Sequence, residues 1–456
     1  MTTVINISGS SGVGKTTLSE LLCFVLDSRK VTTIHGDDLH LWERSDEKWN
    51  EYTHLNPRAN NLKLGYDHMF SLALLNNGIQ RSLYNHETGE FDPSIKIFPK
   101  EYIINEGLHS LYGNMNDLAD ISIFIETDES LKRQWKLNRD IQKRGYTKEQ
   151  VEDTLKRRKK DERLYIHPQK ENADIIVYFK EKRDKAVHLE YECINGVGKN
   201  IIEQVKKLYD MHREFLLLCK KVSFEYDLVQ HGGGNVSYKF NDNIIITSSG
   251  REMNEISMLS GFSLCDNNGK RIKKPNERPS MEVGVHLKVK HPVVFHTHPI
   301  YLNTILCTKE SKPIISEILK DYDYDYISYT TPGEELKNAV NFNPENNIIL
   351  LENHGLICSG SSFVEVFDMS LNINQLCKEW LIKNSKEFKS FATMSHSEED
   401  RFLFPDAVVL EEKMKPINQY LIHTQKGVGL TPRFLSYVEA DKLLSMDEEK
   451  YRKALV

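Results

Sequence analysis

Val4-Ile5-Asn6-Ile7-Ser8-Gly9-Ser10-Ser11-Gly12-Val13-Gly14-Lys15-Thr16-Thr17-Leu18 is the stretch whose reading decides the fold of the first half. The apolar run Val4 to Ser8 predicts a strand, and Thr17 to Leu26 carries the spacing of a helix. Between them, Gly9 to Thr16 satisfies GxxxxGK[ST]. In that arrangement glycines let the backbone turn its N–H groups toward phosphate oxygens, and the helix N-terminus adds a favourable dipole. Gly9, Ser10, Gly12, Gly14, Lys15, Thr16 and Thr17 are therefore expected around the phosphates of ATP. Lys15 neutralises the β and γ oxygens, and Thr16 reaches Mg²⁺. A plain glycine turn with a surface lysine would need neither the strand nor the helix.

Outward from this loop, TVINI, KVTTIHG, EYIINEG, ADISIFIET and ADIIVYF alternate with longer helical patterns, which implies a parallel sheet flanked by helices. A last strand is expected around His188 to Ile194. Asn195-Gly196-Val197-Gly198 then breaks the rhythm before the amphipathic segment Ile201 to Val222, so the boundary between two domains is placed there, 1–196 and 197–456. The second half opens on Gly232-Gly233-Gly234 and predicts strands over Asn243 to Thr247, Val293 to His296 and Ile348 to Leu351. With a long helix over Ser362 to Lys383, this reads as an α/β/α sandwich. The repeat Asp321 to Tyr326 reads as a polar helix end or turn.

A chain of 456 residues exceeds one ordinary core, which agrees with two domains. Sixty Lys and Arg against 66 Asp and Glu leave a net charge of -6, so no overall basic field is present to hold nucleic acid or an anionic membrane. Phosphate chemistry must come from local sites. The N-terminus lacks the pattern of a secretory leader, no apolar run is long enough to span a bilayer, and the 7 cysteines are scattered without CxxC spacing. A cytoplasmic protein with reduced thiols is expected.

A kinase must accept the proton of the attacked hydroxyl. Asp37 and Asp38, ending the second strand, are candidates, and Glu106 ends the strand of Tyr102 to Asn105, at an edge where open sheets bind ligands. In the second half, His296 and His298 are at i and i+2 of a strand, hence on one face, and His354 follows another strand. Three histidines make a zinc site with an open position, and Glu282 supplies a carboxylate able to ligate the ion or act as base.

The segments GDDLHLWER (36–44), THLNPRANNL (53–62), LYNHETGEFDP (83–93), EGLHSLY (106–112), WKLNRDIQKRG (135–145) and YIHPQKENADIIV (165–177) resemble the phosphoribulokinase branch of the phosphoribulokinase and uridine kinase family. The resemblance implies Asp37 as general base, Glu106 beside the magnesium, and Asp38, His40, Arg44, Arg139 and Arg144 as contacts of the sugar substrate or nucleotide. Leu41 stands where many members carry arginine, and the regulatory cysteine pair of plant members is missing.

The order Gly232-Gly-Gly-Asn235, Ser249-Gly250, Ser280-Met-Glu282, HxH and His354-Gly resembles the class II aldolase family, which includes fuculose phosphate aldolase, ribulose phosphate 4-epimerase and the adducin head. It implies His296, His298 and His354 as zinc ligands, Glu282 as acid/base, and Asn235, Ser249, Gly250 and Ser280 as the phosphate cradle. Met281 replaces a second phosphate serine. Glu317 falls at the place of the proton-donating tyrosine, which leaves Tyr301, Tyr326 and Tyr329 as candidates.

The two halves together imply a bifunctional enzyme of sugar metabolism, a kinase joined to an aldolase of the dihydroxyacetone phosphate type. An epimerase or decarboxylase in the zinc half, or a non-catalytic adducin-like module, are the alternatives. By the same resemblance a homo-oligomer, a tetramer, is expected.

Overall fold

Six of the seven residues of strand β1 (Thr3–Gly9) are buried, because β1 lies inside a sheet covered on its faces. The computed structural model describes residues 2–273, 277–339, 341, 343, 345–385, 388–391 and 401–455, without the side chains of 143, 144 and 273. It divides into two compact units, Met1–Met211 and His212–Val456.

The first unit adds β2 (Val31–His35), β3 (Ile79–Arg81), β4 (Ile95–Ile97), β5 (Tyr102–Glu106), β6 (Ile121–Thr127), β7 (Ile175–Glu181) and β8 (Val187–Cys193). Six of these strands form one sheet in the order β2-β5-β1-β6-β7-β8, while β3 and β4 pair separately. All neighbours in the large sheet are parallel except β7 and β8. The five strands expected to form a parallel sheet do so, and the last strand β8 joins its edge antiparallel, because only a short turn connects it to β7 and a parallel pair would need a long crossover. Helix Leu62–Ala73 covers one face, where Met69 and Leu72 pack against Val4, Ile34 and Ile103. The register sets Ile7 beside Glu106 and Glu106 beside His35, so the loops after β1, β2 and β5 share one edge of the sheet.

The second unit contains β9 (Asn235–Phe240), β10 (Asn243–Thr247), β11 (Phe262–Asp266), β12 (Arg271–Lys273), β13 (Val293–Thr297), β14 (Asp325–Ile327), β15 (Ile348–Leu351) and β16 (Gly355–Gly360). They form one sheet in the order β12-β11-β10-β9-β13-β16-β15-β14. Part of the Asp321 to Tyr326 repeat is therefore the edge strand β14, paired in parallel with β15, and not wholly a helix end or turn. Alternation along β13 fixes the layers. Thr297 bonds Ser370 on helix Phe363–Asn384 at 3.0 Å, while Val294 joins Val285, Val289 and Leu336 on the opposite face. The result is the α/β/α sandwich. Among the described residues no helix is long and apolar enough to cross a membrane.

Gly355 begins β16 where the backbone passes close to β13: a Cβ there would lie 2.3 Å from the Thr297 carbonyl oxygen and 3.0 Å from the His298 ring. Overpacking of this kind costs about 1–3 kcal/mol. We expect Gly355→Ala to lower the unfolding free energy of the second unit by that amount, seen as a lower urea midpoint at unchanged slope, and to reduce metal bound per chain, read by denaturation monitored by circular dichroism and by elemental analysis.

Candidate functional site

The first unit holds its chemistry where β1, β2 and β5 end. Gly14 turns into the helix Lys15–Val25 with φ +97°, and a Cβ there would sit 2.8 Å from the Phe179 ring, so only glycine fits this turn. Lys15 Nζ donates to the Gly9 and Ser10 carbonyl oxygens, each at 2.9 Å. Gly12 completes the loop, Thr16 is exposed on the first helical turn and Thr17 is half-buried. The Ser10 hydroxyl donates to Glu162, which also accepts from Lys132 Nζ at 2.8 Å. Burial lowers the pKa of Lys15 to about 8, against the opposing effect of Asp37 and Glu106.

Asp37 lies 3.8 Å from His40 Nε2 and 3.3 Å from His86 Nε2. Enclosure raises its pKa, but the charges of His40, His86 and Lys15 outweigh this and hold the carboxyl well below the usual range. It is ionised at neutral pH, the state required of a base. Asp38 is placed differently: its carboxylate accepts from Arg81 Nε at 3.1 Å and from the Tyr84 backbone N–H at 2.8 Å. It fastens the β3–β4 region to the turn. Glu106 accepts from, or shares a proton with, His35 Nδ1 at 2.9 Å, while its Oε2 is buried without a partner. An orphaned carboxylate oxygen within electrostatic reach of Lys15 suits a hard cation such as Mg²⁺.

His40 is held by Asn60 at 2.8 Å and ringed by Trp49, His54 and Tyr84. Arg44 donates to the His86 carbonyl oxygen at 2.6 Å and the Glu87 carbonyl oxygen at 3.2 Å, and so shapes the loop that carries His86. Arg139 Nε donates to Asp140 at 2.9 Å and leaves a buried Nη2 without a partner. The side chain of Arg144 lies outside the described residues. Three further residues near these groups were not among the sequence candidates. Lys136 is buried and paired with Asp140 at 3.0 Å, with burial lowering its pKa to about 7. His86 faces Asp37, and His109 is buried with both ring nitrogens unpartnered. The spacing of Lys136 and Asp140, four apart on the helix that bears Arg139, was the available signal.

In the second unit His296, His298 and His354 bring ligand atoms within 4.8 Å of one another. His296 and His298 Nε2 are 2.9 Å apart. Their other nitrogens are occupied, His296 Nδ1 by the Leu356 carbonyl oxygen at 3.0 Å and His298 Nδ1 by Asp406 at 2.8 Å. Such outer bonds orient imidazoles toward a metal. Burial lowers His296 to about 4 and His354 to about 3, so both are neutral and offer lone pairs. Glu282 Oε2 lies 3.3 Å from His296 Nε2, and Oε1 lies 3.4 Å from His354 Nε2 with no hydrogen-bond partner. Burial raises the Glu282 pKa, but the imidazoles and Asn235 outweigh it and bring it to about 2. Three buried nitrogens and an orphaned carboxylate oxygen fit a divalent cation of the zinc type.

Asn235, Ser249, Gly250 and Ser280 line the same pocket as Glu282, His298 and His354. Asn235 has a further task, donating to Glu282 Oε2 at 2.7 Å, because the register places it opposite His296. Asp406 and Arg452 also line the pocket. Neither was legible, since both lie far along the chain from the histidines. Of the three candidate tyrosines, Tyr326 bonds Ser311 at 2.7 Å and Glu352 at 3.3 Å, and Tyr301 bonds Asp227. The Tyr329 hydroxyl is buried without a partner.

The profile of the Phosphoribulokinase / Uridine kinase family matches residues 4–186, and that of the Class II Aldolase and Adducin N-terminal domain matches residues 213–381. A phosphoribulokinase of Synechocystis sp. is 37% identical over 175 residues, 38% of this chain and 52% of that protein. The chain thus spans about half the length of such phosphoribulokinases. A uridine kinase of Macrococcus caseolyticus is 33% identical over 194 residues, 39% of this chain and 87% of that protein. The solved N-terminal class II aldolase domain of a conserved protein from Thermoplasma acidophilum is 22% identical, with TM-score 0.34, covering 37% of this chain and 92% of that one.

With a Lys15 pKa of about 8, the ammonium is present below pH 8 and lost above it. Nucleotide binding that needs this charge is expected to be flat from pH 7 to 7.5 and to weaken above pH 8, approaching tenfold per pH unit. Calorimetric titration of ATP checks this, with Lys15→Ala losing the dependence.

Proposed function

We propose that this chain, which belongs to the phosphoribulokinase and uridine kinase family through residues 4–186 and carries a class II aldolase domain over 213–381, is a bifunctional enzyme of sugar metabolism. Residues 1–196 transfer a phosphoryl group from ATP to a hydroxyl of a sugar or sugar phosphate. Residues 197–456 cleave or form a ketose phosphate of the dihydroxyacetone phosphate type with the help of zinc. A kinase makes a phosphate ester and an aldolase of this type requires one, so the two halves share a metabolite.

In the kinase, Lys15 and the loop N–H groups hold the nucleotide phosphates, Thr16 and Glu106 hold Mg²⁺, and Asp37 accepts the proton of the attacking hydroxyl. Arg139 and Arg158 both act electrostatically on Lys136, and such a group of cations suits an acceptor that already carries a phosphate. The relatives are named for phosphoribulose and for uridine as acceptors; the cluster favours the former class.

The observation that carries the lyase reading is Glu282, whose two oxygens lie 3.3 and 3.4 Å from imidazoles of His296 and His354 in a pocket built from anion-binding turns. Zinc, when bound by His296, His298 and His354, supplies Lewis acidity toward a ketone and its neighbouring hydroxyl. Asn235 orients Glu282 for proton transfer to or from that hydroxyl. Ser249, Gly250 and Ser280 hold the phosphate at the far side of the pocket, and subunits assemble as a homo-oligomer.

The test is a product screen of the full chain with ATP, Mg²⁺ and Zn²⁺ against ketoses, ketose phosphates and aldehydes. ADP formation and release of dihydroxyacetone phosphate are expected. Lys15→Ala should lower ADP formation about 10²–10⁴-fold and spare cleavage, and Glu282→Gln should do the reverse by about the same factor. ADP formation without any triose phosphate defeats the lyase reading. An epimer or carbon dioxide seen by NMR would assign the second half to the epimerase or decarboxylase class instead.

A further inference from the structure

One wall of the second-unit pocket comes from a segment that the cradle motifs did not include. Helix Asp447–Leu455 lies beyond the matched residues 213–381, yet Glu449 and Arg452 line the pocket together with Ser249, Gly250 and Ser280. The helix is seated closely. Gly250 has φ +76°, and a Cβ there would lie 2.9 Å from Leu455 Cδ1 and 3.6 Å from Arg452 Cα. The Arg278 guanidinium stacks 4.3 Å from the Tyr451 ring centre.

Arg452 is nine-tenths buried, with its side chain 10% exposed. It donates through Nη2 to Asp406 Oδ1, a short contact, and through Nη1 to Glu449 Oε2 at 3.4 Å, while its Nε is buried with no partner. An enclosed guanidinium N–H without an acceptor is costly. Asp406, its nearest counter-charge, is shared with His298. The second, Glu449, is displaced toward its neutral form by burial, against the pull of Arg452. Arg452 is also the one permanent cation among the side chains lining this pocket, whose turns otherwise offer hydroxyls and backbone N–H groups.

We infer that Arg452 is a specificity-determining ligand of the pocket: its free Nε–H, with the Ser248–Gly250 turn, takes an anionic oxygen group of the bound molecule, so that the helix Asp447–Leu455 is a working wall of the site. The inference rests on the pocket being the substrate site proposed above. Arginine suits the task because its planar fork can keep Asp406 on one edge while presenting the other to an oxyanion. The recognised chemistry is that of a phosphate ester or a carboxylate, and neutral polyols of the same size are excluded.

The test uses the full chain loaded with zinc and saturated with a non-hydrolysable ATP analogue, which occupies the first-unit loop. Inorganic phosphate and acetate are titrated separately by calorimetry. We expect at least one of them to bind, Arg452→Gln to weaken that binding tenfold or more with zinc per chain unchanged, and Arg452→Lys to recover part of it. Which anion responds identifies the phosphate or the carboxylate. Equal binding by wild type and Arg452→Gln overturns the inference. So does zinc loss in Arg452→Gln when the anion fails to protect residues 447–455 of the wild type from amide exchange, since Arg452 would then only brace Asp406. Protection of those amides supports it without any variant. Anion binding that depends on Arg452 in a chain with no triose phosphate release separates this inference from the lyase reading, which alone would fail.

Discussion

An extended strand can send successive side chains only to two opposite faces, and the register with its neighbours fixes what each side chain meets. Both units depend on that constraint. In the first, pairing Ile7 with Glu106 and Glu106 with His35 brings the ends of β1, β5 and β2 to one edge. The Gly9–Thr16 loop, the turn bearing Asp37 and the carboxylate of Glu106 arrive there together. In the second, β13 stands between β9 and β16, with His296 opposite Asn235 on one side and Ile357 on the other. A slip of one residue would turn His296 toward helix Phe363–Asn384, where Thr297 now bonds Ser370.

Burial then sets the electrostatic character of each site. A charge taken out of water must be paired or it shifts toward neutrality. The imidazoles of His296 and His354 take the second course and become neutral donors. Glu282 and Asp406 stay ionised through donated hydrogen bonds, from Asn235 to Glu282 and from His298 and Arg452 to Asp406. In the kinase unit the same division separates Lys136, driven down by burial, from Asp37, held ionised by His40, His86 and Lys15. Acceptors and donors of protons are in this way distinguished by their surroundings more than by their residue type.

Much of this was legible before any coordinates. The strand, glycine loop and helix of Thr3 to Val25 follow from glycines at fixed spacing, and HxH on a strand forced two imidazoles onto one face. Other parts were not. Asp38 and Asp37 are adjacent and alike in sequence, yet one carboxylate is fastened to Arg81 and the Tyr84 amide while the other faces histidines. Strands β9, β11, β12 and β16 were passed over because their patterns are short and mixed, and β14 because alternating Asp and Tyr read as a turn. The antiparallel turn of β8 was hidden for a similar reason: a strand's direction is set by the length of the connection that precedes it, not by its own residues.

The sequence by itself determined the local chemistry: which loop has the form of a phosphate cradle, which residue types can hold a metal, and that two units are present. It could do so because those properties follow from spacing along the chain within a single turn or strand. Only the tertiary structure decided which distant groups share a site. Asp406 hydrogen-bonds His298, and Arg452 reaches the Ser248–Gly250 turn from more than two hundred residues beyond Asn235. Such contacts arise from packing and hydrogen-bond satisfaction in a buried volume, and no periodicity along the chain encodes them.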